Sequence, residues 1–209
     1  MDKSAVWKIA AAAAVLLGIL FVALALYRIP RLYHLSVEED FTYDGEATGF
    51  PLTGYAPSAE ESYAERAELV FINMTWAEWE PEQGEYDTDG LEEKYQLNRW
   101  REEGKHVVLR FVCDRPGTDT HMDIPEWLYE RTADGVFYDT EYGKGYCPDY
   151  SNADFIAAHE AALRALGEYF GEDTFLSYVE LGSLGHWGEW HTLHEEGLPP
   201  MPDQEICWQ

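Results

Sequence analysis

The chain has 209 residues, enough for one domain or part of a larger one, and carries 40 Asp and Glu against 14 Lys and Arg, a net charge of −26. A field of that sign repels phosphate backbones, which argues against a nucleic-acid partner, and it tolerates a neutral substrate. Aromatic residues make up 15% of the sequence, with 8 Trp and 14 Tyr, a surplus that suits stacking on sugar faces as well as dense packing.

The first thirty residues stand apart. From Ile9 to Tyr27 no charge occurs over about nineteen residues, long enough to cross a bilayer as a helix. Lys3 and Lys8 precede the run and Arg28 and Arg31 follow it, so flanking charge does not set the orientation. The run reads as an uncleaved single-pass anchor in the cell membrane. The alternative is secretion after cleavage at Ala25, because Ala23-Leu24-Ala25 has the small-x-small form of a signal-peptidase site. Either places the remainder outside the cytoplasm. Residues 1–30 are therefore assigned to the membrane segment, 31–50 to an acid-rich linker, and 51–209 to the globular domain.

Strand and helix signals then alternate. Gly54 to Ala59 reads as a short first strand ending in the turn signal Pro57-Ser58. Leu69 to Trp76 is a near-continuous apolar run of strand length. Leu91 to Glu103 reads as a helix, with Asp89 and Glu92 in capping-box spacing and Gly104 as its stop. Val107 to Cys113 is a second buried strand. Ser151 and Asp154 start a helix over Ala153 to Phe170, with Phe155, His159, Ala162, Leu163, Leu166 and Phe170 on one face. His159 on that face reads as a packing residue. Phe175 to Leu181 is the last strand. Strands apolar on both faces and separated by helices predict a parallel α/β sheet.

Cys113, Cys147 and Cys207 are an odd number without paired metal spacing. A Cys113–Cys147 disulfide and a buried Cys113 thiol both remain open. Asn73-Met74-Thr75 fits a glycosylation pattern but falls within a buried strand, and is discounted.

The stretch from Ser177 to His191, SYVELGSLGHWGEWH, carries the most chemistry. Tyr178 and Val179 form strand; Gly182, Gly185 and Gly188 then free the backbone to turn. The loop delivers one acid, Glu189, between Trp187 and Trp190. Apolar surroundings favour a protonated carboxylic acid, the state a general acid must hold, and structural pairing is the competing role.

Two passages resemble clan A glycoside hydrolases, the β-galactosidase and cellulase type of TIM barrel. Trp76 to Asp87, WAEWEPEQGEYD, is similar to the W…EPxxGxY passage that follows the second strand of that clan. LRFVCDRPG, followed by Ile124-Pro125-Glu126-Trp127-Leu128, looks like the third strand and its P-x-W-L helix. Gly182 to Glu189 is similar to the β-amylase pattern G-x-G-P-x-G-E, without the Asn-Glu pair usual in the clan. Bacterial glycosidase-like proteins carrying a WGEWH motif are nearest in pattern. The resemblance covers Gly54 to His191 and implies an α/β (β/α)8 barrel of which about the first four βα units are present. It implies an N-terminal half: the clan's nucleophile comes from the seventh strand, which is absent here.

The resemblance also assigns roles. Glu189 is the acid/base that protonates the glycosidic oxygen. Trp76, Trp187 and Trp190 stack on sugars or pack, Asp114 hydrogen-bonds a hydroxyl or caps its loop, and His191 contacts a sugar or Glu189. Asn73, Arg110 and Glu180 form a polar layer inside the barrel, with Arg110 paired to Glu180. His186, His191 and His194 invite a metal, but their spacing is not that of a helical zinc site; no metal or cofactor is expected. The reading is a glycoside hydrolase-like protein acting on an extracellular poly- or oligosaccharide. The alternatives are a non-catalytic carbohydrate-binding remnant and, least favoured, a metal-dependent hydrolase.

Overall fold

The computed structural model describes Ser4, Trp7, residues 14–24 and residues 52–203. The chain divides into two units, Met1–Ala47 and Thr48–Gln209. In the first, residues 14–24 are helical and expose apolar side chains along their length, among them Leu17, Leu20 and Phe21. The expected span Ile9 to Tyr27 reaches beyond the described residues; the linker at 31–50, the cleavage signal's Ala25, and Cys207 lie outside them. Among the described residues no helix is long and apolar enough to cross a membrane.

The second unit is built on a parallel sheet of β1 (Leu69–Thr75), β2 (His106–Val112) and β5 (Leu176–Glu180), in the order β1-β2-β5. β1 and β2 run in unbroken register from Leu69↔His106 to Thr75↔Val112. The expected first strand is reduced to one parallel bridge, Ser58↔Phe71, because only Pro57 and Ala59 share backbone bonds with Phe71. The sheet is thus open among the described residues, and no closed barrel forms from them.

Alternation along the strands sorts their side chains onto two faces. Val70, Ile72 and Met74 of β1 and Val107, Leu109 and Phe111 of β2 are buried at 0–2% exposure. Each contributes about 1.5–3 kcal/mol by leaving water. They join one apolar core with Trp76 and Trp79 of the single-turn helix α1 (Trp76–Trp79), Trp100, and Phe155, Ala162 and Leu166. On the opposite face Phe71, Val108 and Tyr178 line a trough of ≈ 630 Å³.

The predicted helix at Leu91 to Glu103 is two helices, α2 (Thr88–Tyr95) and α3 (Leu97–Glu102). Gln96 between them adopts left-handed geometry, φ 54° and ψ 45°, which stops the hydrogen-bond ladder. The start is also displaced: Asp87, not Asp89, caps α2 by accepting from the Gly90 N–H at 2.8 Å. A short α4 (Glu126–Thr132) follows β2 after a loop. α5 (Ala153–Phe170) has the predicted bounds, but its cap is Asn152, which accepts from the Asp154 and Phe155 N–H groups. Between α4 and α5 lies an unpredicted antiparallel hairpin, β3 (Val136–Thr140) and β4 (Gly143–Cys147).

The W…EPxxG passage is a structural brace. The buried Glu80 carboxylate accepts from the Trp76 indole N–H at 2.9 Å and from the Gly84 N–H at 2.8 Å. Gly84 holds φ +77°, and Tyr86 stacks on Trp79 at 4.8 Å. The spacing from Trp76 to Tyr86 is what this closed set of contacts requires. Cys113 and Cys147 are both buried free thiols, so the open disulfide alternative does not form. Burial pushes both thiols upward in pKa, away from the reactive thiolate.

Candidate functional site

Parallel α/β sheets present their ligand sites beyond the carboxyl ends of the strands. At that end β2 leads to Asp114, and β5 leads to the loop 182–193. The loop is pinned to β2 by its backbone. The Trp187 N–H donates to the Asp114 carbonyl at 2.8 Å, and Arg110 Nη1 donates to the Trp187 carbonyl at 3.3 Å. Arg110 Nε also donates to Glu180 Oε2 at 2.5 Å, and these two residues are register partners.

Glycines let the loop fold onto itself. A side chain at Gly188 would collide with the Gly182 carbonyl, and one at Gly182 with the Arg110 side chain. Gly185 and Gly188 hold φ +81° and +72°. Trp187 and Trp190 also sit in the left-handed region, φ 54° and 60°, where a bulky residue carries strain of about 1–3 kcal/mol. Such strain persists only where surrounding contacts over-determine it, and here they aim an indole.

Those contacts converge on Asp114. Its carboxylate is fully buried, with Oδ1 accepting from the Tyr138 hydroxyl at 2.5 Å and Oδ2 paired with His186 Nδ1 at 2.8 Å. His186 Nε2 in turn lies 3.2 Å from the Leu193 N–H, which donates to it. The two partners fix the tautomer: Nδ1 carries the proton toward Asp114 and Nε2 accepts. Burial, reinforced by the Asp114 charge, pushes the Tyr138 phenol well above its ordinary pKa, so it remains a donor. One carboxylate therefore ties the hairpin, through Tyr138, to the loop, through His186.

Between hairpin and loop lies a cavity of ≈ 220 Å³. Its walls are Pro116, Tyr138, Thr140 and Tyr142 on one side and Trp187 and His191 on the other, with His186 and Leu193 completing the lining. His186 meets Tyr138 edge-on at 5.0 Å, and Trp187 is tilted 46° against His191 at 6.3 Å. Glu189 is outside the lining: its Oε2 is 3.6 Å from Nε2 of the lining residue His191, and its side chain is 59% exposed.

The predicted residues separate on this geometry. Trp187 and His191 line the cavity, while Trp190 lies 40% exposed with its indole N–H donating to the Leu181 carbonyl. The flanking tryptophans do not enclose Glu189. Trp76 cannot offer a face to a sugar, because it is fully buried among Phe111, Trp127, Phe155 and His159. Asp114 cannot reach a substrate hydroxyl, because both its oxygens are bonded inside the protein; it positions other side chains. Asn73 sits on β1 beside Arg110, its Oδ1 buried without a hydrogen-bond partner. His194 Nδ1 contacts the Leu198 carbonyl at 3.0 Å. Among the described residues no group of three or more His, Cys, Asp or Glu is placed to hold a metal ion.

Sequence reasoning missed the hairpin wall, Tyr138, Thr140 and Tyr142. Its signal was the strand-forming run Val136-Phe137-Tyr138-Asp139-Thr140, separated by two residues from Gly143, which opens the second strand.

No family model matches the chain, and no curated protein does. Among solved structures it is similar to a GH5_18 protein from Bifidobacterium longum subsp. infantis, at 12% identity and a TM-score of 0.45. The match covers 68% of this chain and 30% of that one, so the chain spans less than a third of that neighbour's length. A likeness this slight assigns no function.

Proposed function

We propose that this chain is part of a (β/α)8 glycosidase-like protein that engages a neutral poly- or oligosaccharide outside the cytoplasm, with Glu189 as its acid/base. The observation that carries this reading is the aromatic-walled cavity beyond the carboxyl ends of β2 and β5, with the Glu189 carboxyl group 3.6 Å from its lining residue His191. Glycoside cleavage needs a second carboxyl group, about 5 Å away for retention and farther for inversion, which a later strand outside this sequence would supply. The exposed apolar side chains of the helix at 14–24 support attachment to a membrane through the N-terminal segment.

Extending the coding sequence beyond Gln209 and assaying the longer protein tests this reading. It should hydrolyse neutral oligosaccharides, and Glu189→Gln should abolish turnover while binding persists. A second reading, binding without hydrolysis, is favoured by the 59% exposure of Glu189, since catalytic carboxyls work in water-excluded sites. A parent protein that binds saccharides and cleaves none would select it.

A further inference from the structure

We propose that the cavity between the β3–β4 hairpin and the 186–193 loop is a subsite for a single uncharged pyranose ring. The inference deepens the carbohydrate reading and rests on it.

Size comes first. At ≈ 220 Å³ the cavity is smaller than the about 300 Å³ at which sites for drug-sized ligands begin, which suits one ring and no more. Chemistry comes second. Tyr138, Tyr142 and Trp187 present aromatic carbon, the surface on which the C–H face of a pyranose stacks. The polar capacity of the deep wall is already used: Tyr138 and His186 bond to Asp114, and Thr140 Oγ1 donates to the Gly143 carbonyl. Ring hydroxyls therefore meet polar groups only at the mouth, where His191 and Tyr142 are exposed.

Rigidity comes third. The Asp114 carboxylate joins both walls, and the strained Trp187 backbone is held at both its N–H and its carbonyl. The slot is thus formed before a ligand arrives, and little ordering opposes binding. Charge sets the last condition. With a net −26 on the chain and the Glu189 carboxylate beside His191, a uronate ring is repelled where the neutral ring is accepted.

Titrating the full chain in detergent tests the subsite, with tryptophan fluorescence and ligand-observed NMR as readouts. The probes are methyl pyranosides of gluco, galacto, manno and xylo configuration, D-glucuronate, and a neutral tetrasaccharide. At least one methyl pyranoside should bind saturably. Tyr142→Ala, at a tip residue that is 57% exposed and free to be truncated without unfolding, should weaken it about ten-fold. Trp187→Leu should weaken it further, and glucuronate should bind about ten-fold less well than its neutral counterpart. Absence of saturable binding by every methyl pyranoside overturns the proposal, as does binding that Tyr142→Ala leaves unchanged. If the tetrasaccharide still binds in either case, the subsite fails while the carbohydrate reading survives. If a methyl pyranoside binds in the slot but the longer protein cleaves nothing, the subsite stands and the hydrolase reading fails.

Discussion

Asp114 and His186 lie 72 positions apart in sequence and meet at 2.8 Å, Oδ2 to Nδ1, with side chains 0% and 1% exposed. Together with the Tyr138 hydroxyl bond to the same carboxylate, this contact ties the hairpin and the 186–193 loop together as facing walls. Removing the carboxylate charge leaves two buried donors competing for a weaker acceptor. Asp114→Asn is therefore expected to cost about 2–4 kcal/mol in chemical denaturation. Tyr138→Phe, which deletes one donor and keeps the ring, should cost about 1 kcal/mol. Equal, small losses for both would show that Asp114 does not organise the site.

His159 supplies an acid-sensitive point in the core. Its ring stacks on Phe155 at 5.9 Å and lies edge-on to Trp76, while its Nε2 is buried without a partner. Burial lowers its pKa from 6.5 to about 4. The unfolded chain therefore takes up a proton that the folded one refuses between those values. The stabilisation is complete above about pH 6.5 and is lost as pH falls toward about 4, amounting to about 2 kcal/mol by pH 5. His159→Leu should remove this dependence, so the difference between parent and variant denaturation midpoints should shift between pH 7.5 and 5. A constant difference would contradict the assignment.

His121 acts with the opposite sign. Its Nδ1 is 2.7 Å from the Asp119 carbonyl and its Nε2 2.9 Å from the Arg115 carbonyl, a geometry that only the doubly protonated ring satisfies. Burial pushes its pKa down, but the Asp119 carbonyl, the Asp123 carboxylate and the Arg115 carbonyl outweigh it and raise the value. The clip is complete below about pH 6.5 and weakens as pH rises through the raised value. It closes the loop whose Gly117 exchanges two 2.8 Å backbone bonds with Lys144 of the hairpin. Amide protection at Gly117 and Lys144, corrected for intrinsic exchange, should fall between pH 6 and 8 in the parent. It should be pH-independent in His121→Phe.

What the sequence disclosed, and what it hid, follows from the range of the forces involved. Leu69–Thr75, His106–Val112 and Ala153–Phe170 announce themselves because apolar runs and a helical stripe are local records of burial. Gln96 does not, because glutamine has no preference for the left-handed geometry it adopts; packing of Tyr95 and Leu97 on either side imposes the break. The hairpin is weakly written, since β3 exposes Val136 and Phe137, and β4 includes Gly143 and Gly145. Trp76 misled for a different reason: the same indole signals a sugar platform or a core, and only the four rings around it decide. Asp114 looked like a rim acid because its place at the end of a strand is local information. Its two partners are long-range.

Two glycines with similar backbones separate strain from collision. Gly84 and Gly188 hold φ +77° and +72°, so alanine at either carries the left-handed cost of about 1–2 kcal/mol. At Gly84 a new Cβ meets nothing within 4 Å. At Gly188 it strikes the Gly182 carbonyl, a backbone group, and Gly182 is itself packed against the Arg110 side chain. Gly84→Ala should thus lower stability by about 1–2 kcal/mol and leave ligand binding at the cavity intact. Gly188→Ala should cost more than that and displace Trp187, measurable as a changed tryptophan emission spectrum together with a lower denaturation midpoint. Similar losses for the two variants would mean that the loop tolerates opening at Gly182, and that its close packing does not hold Trp187 in place.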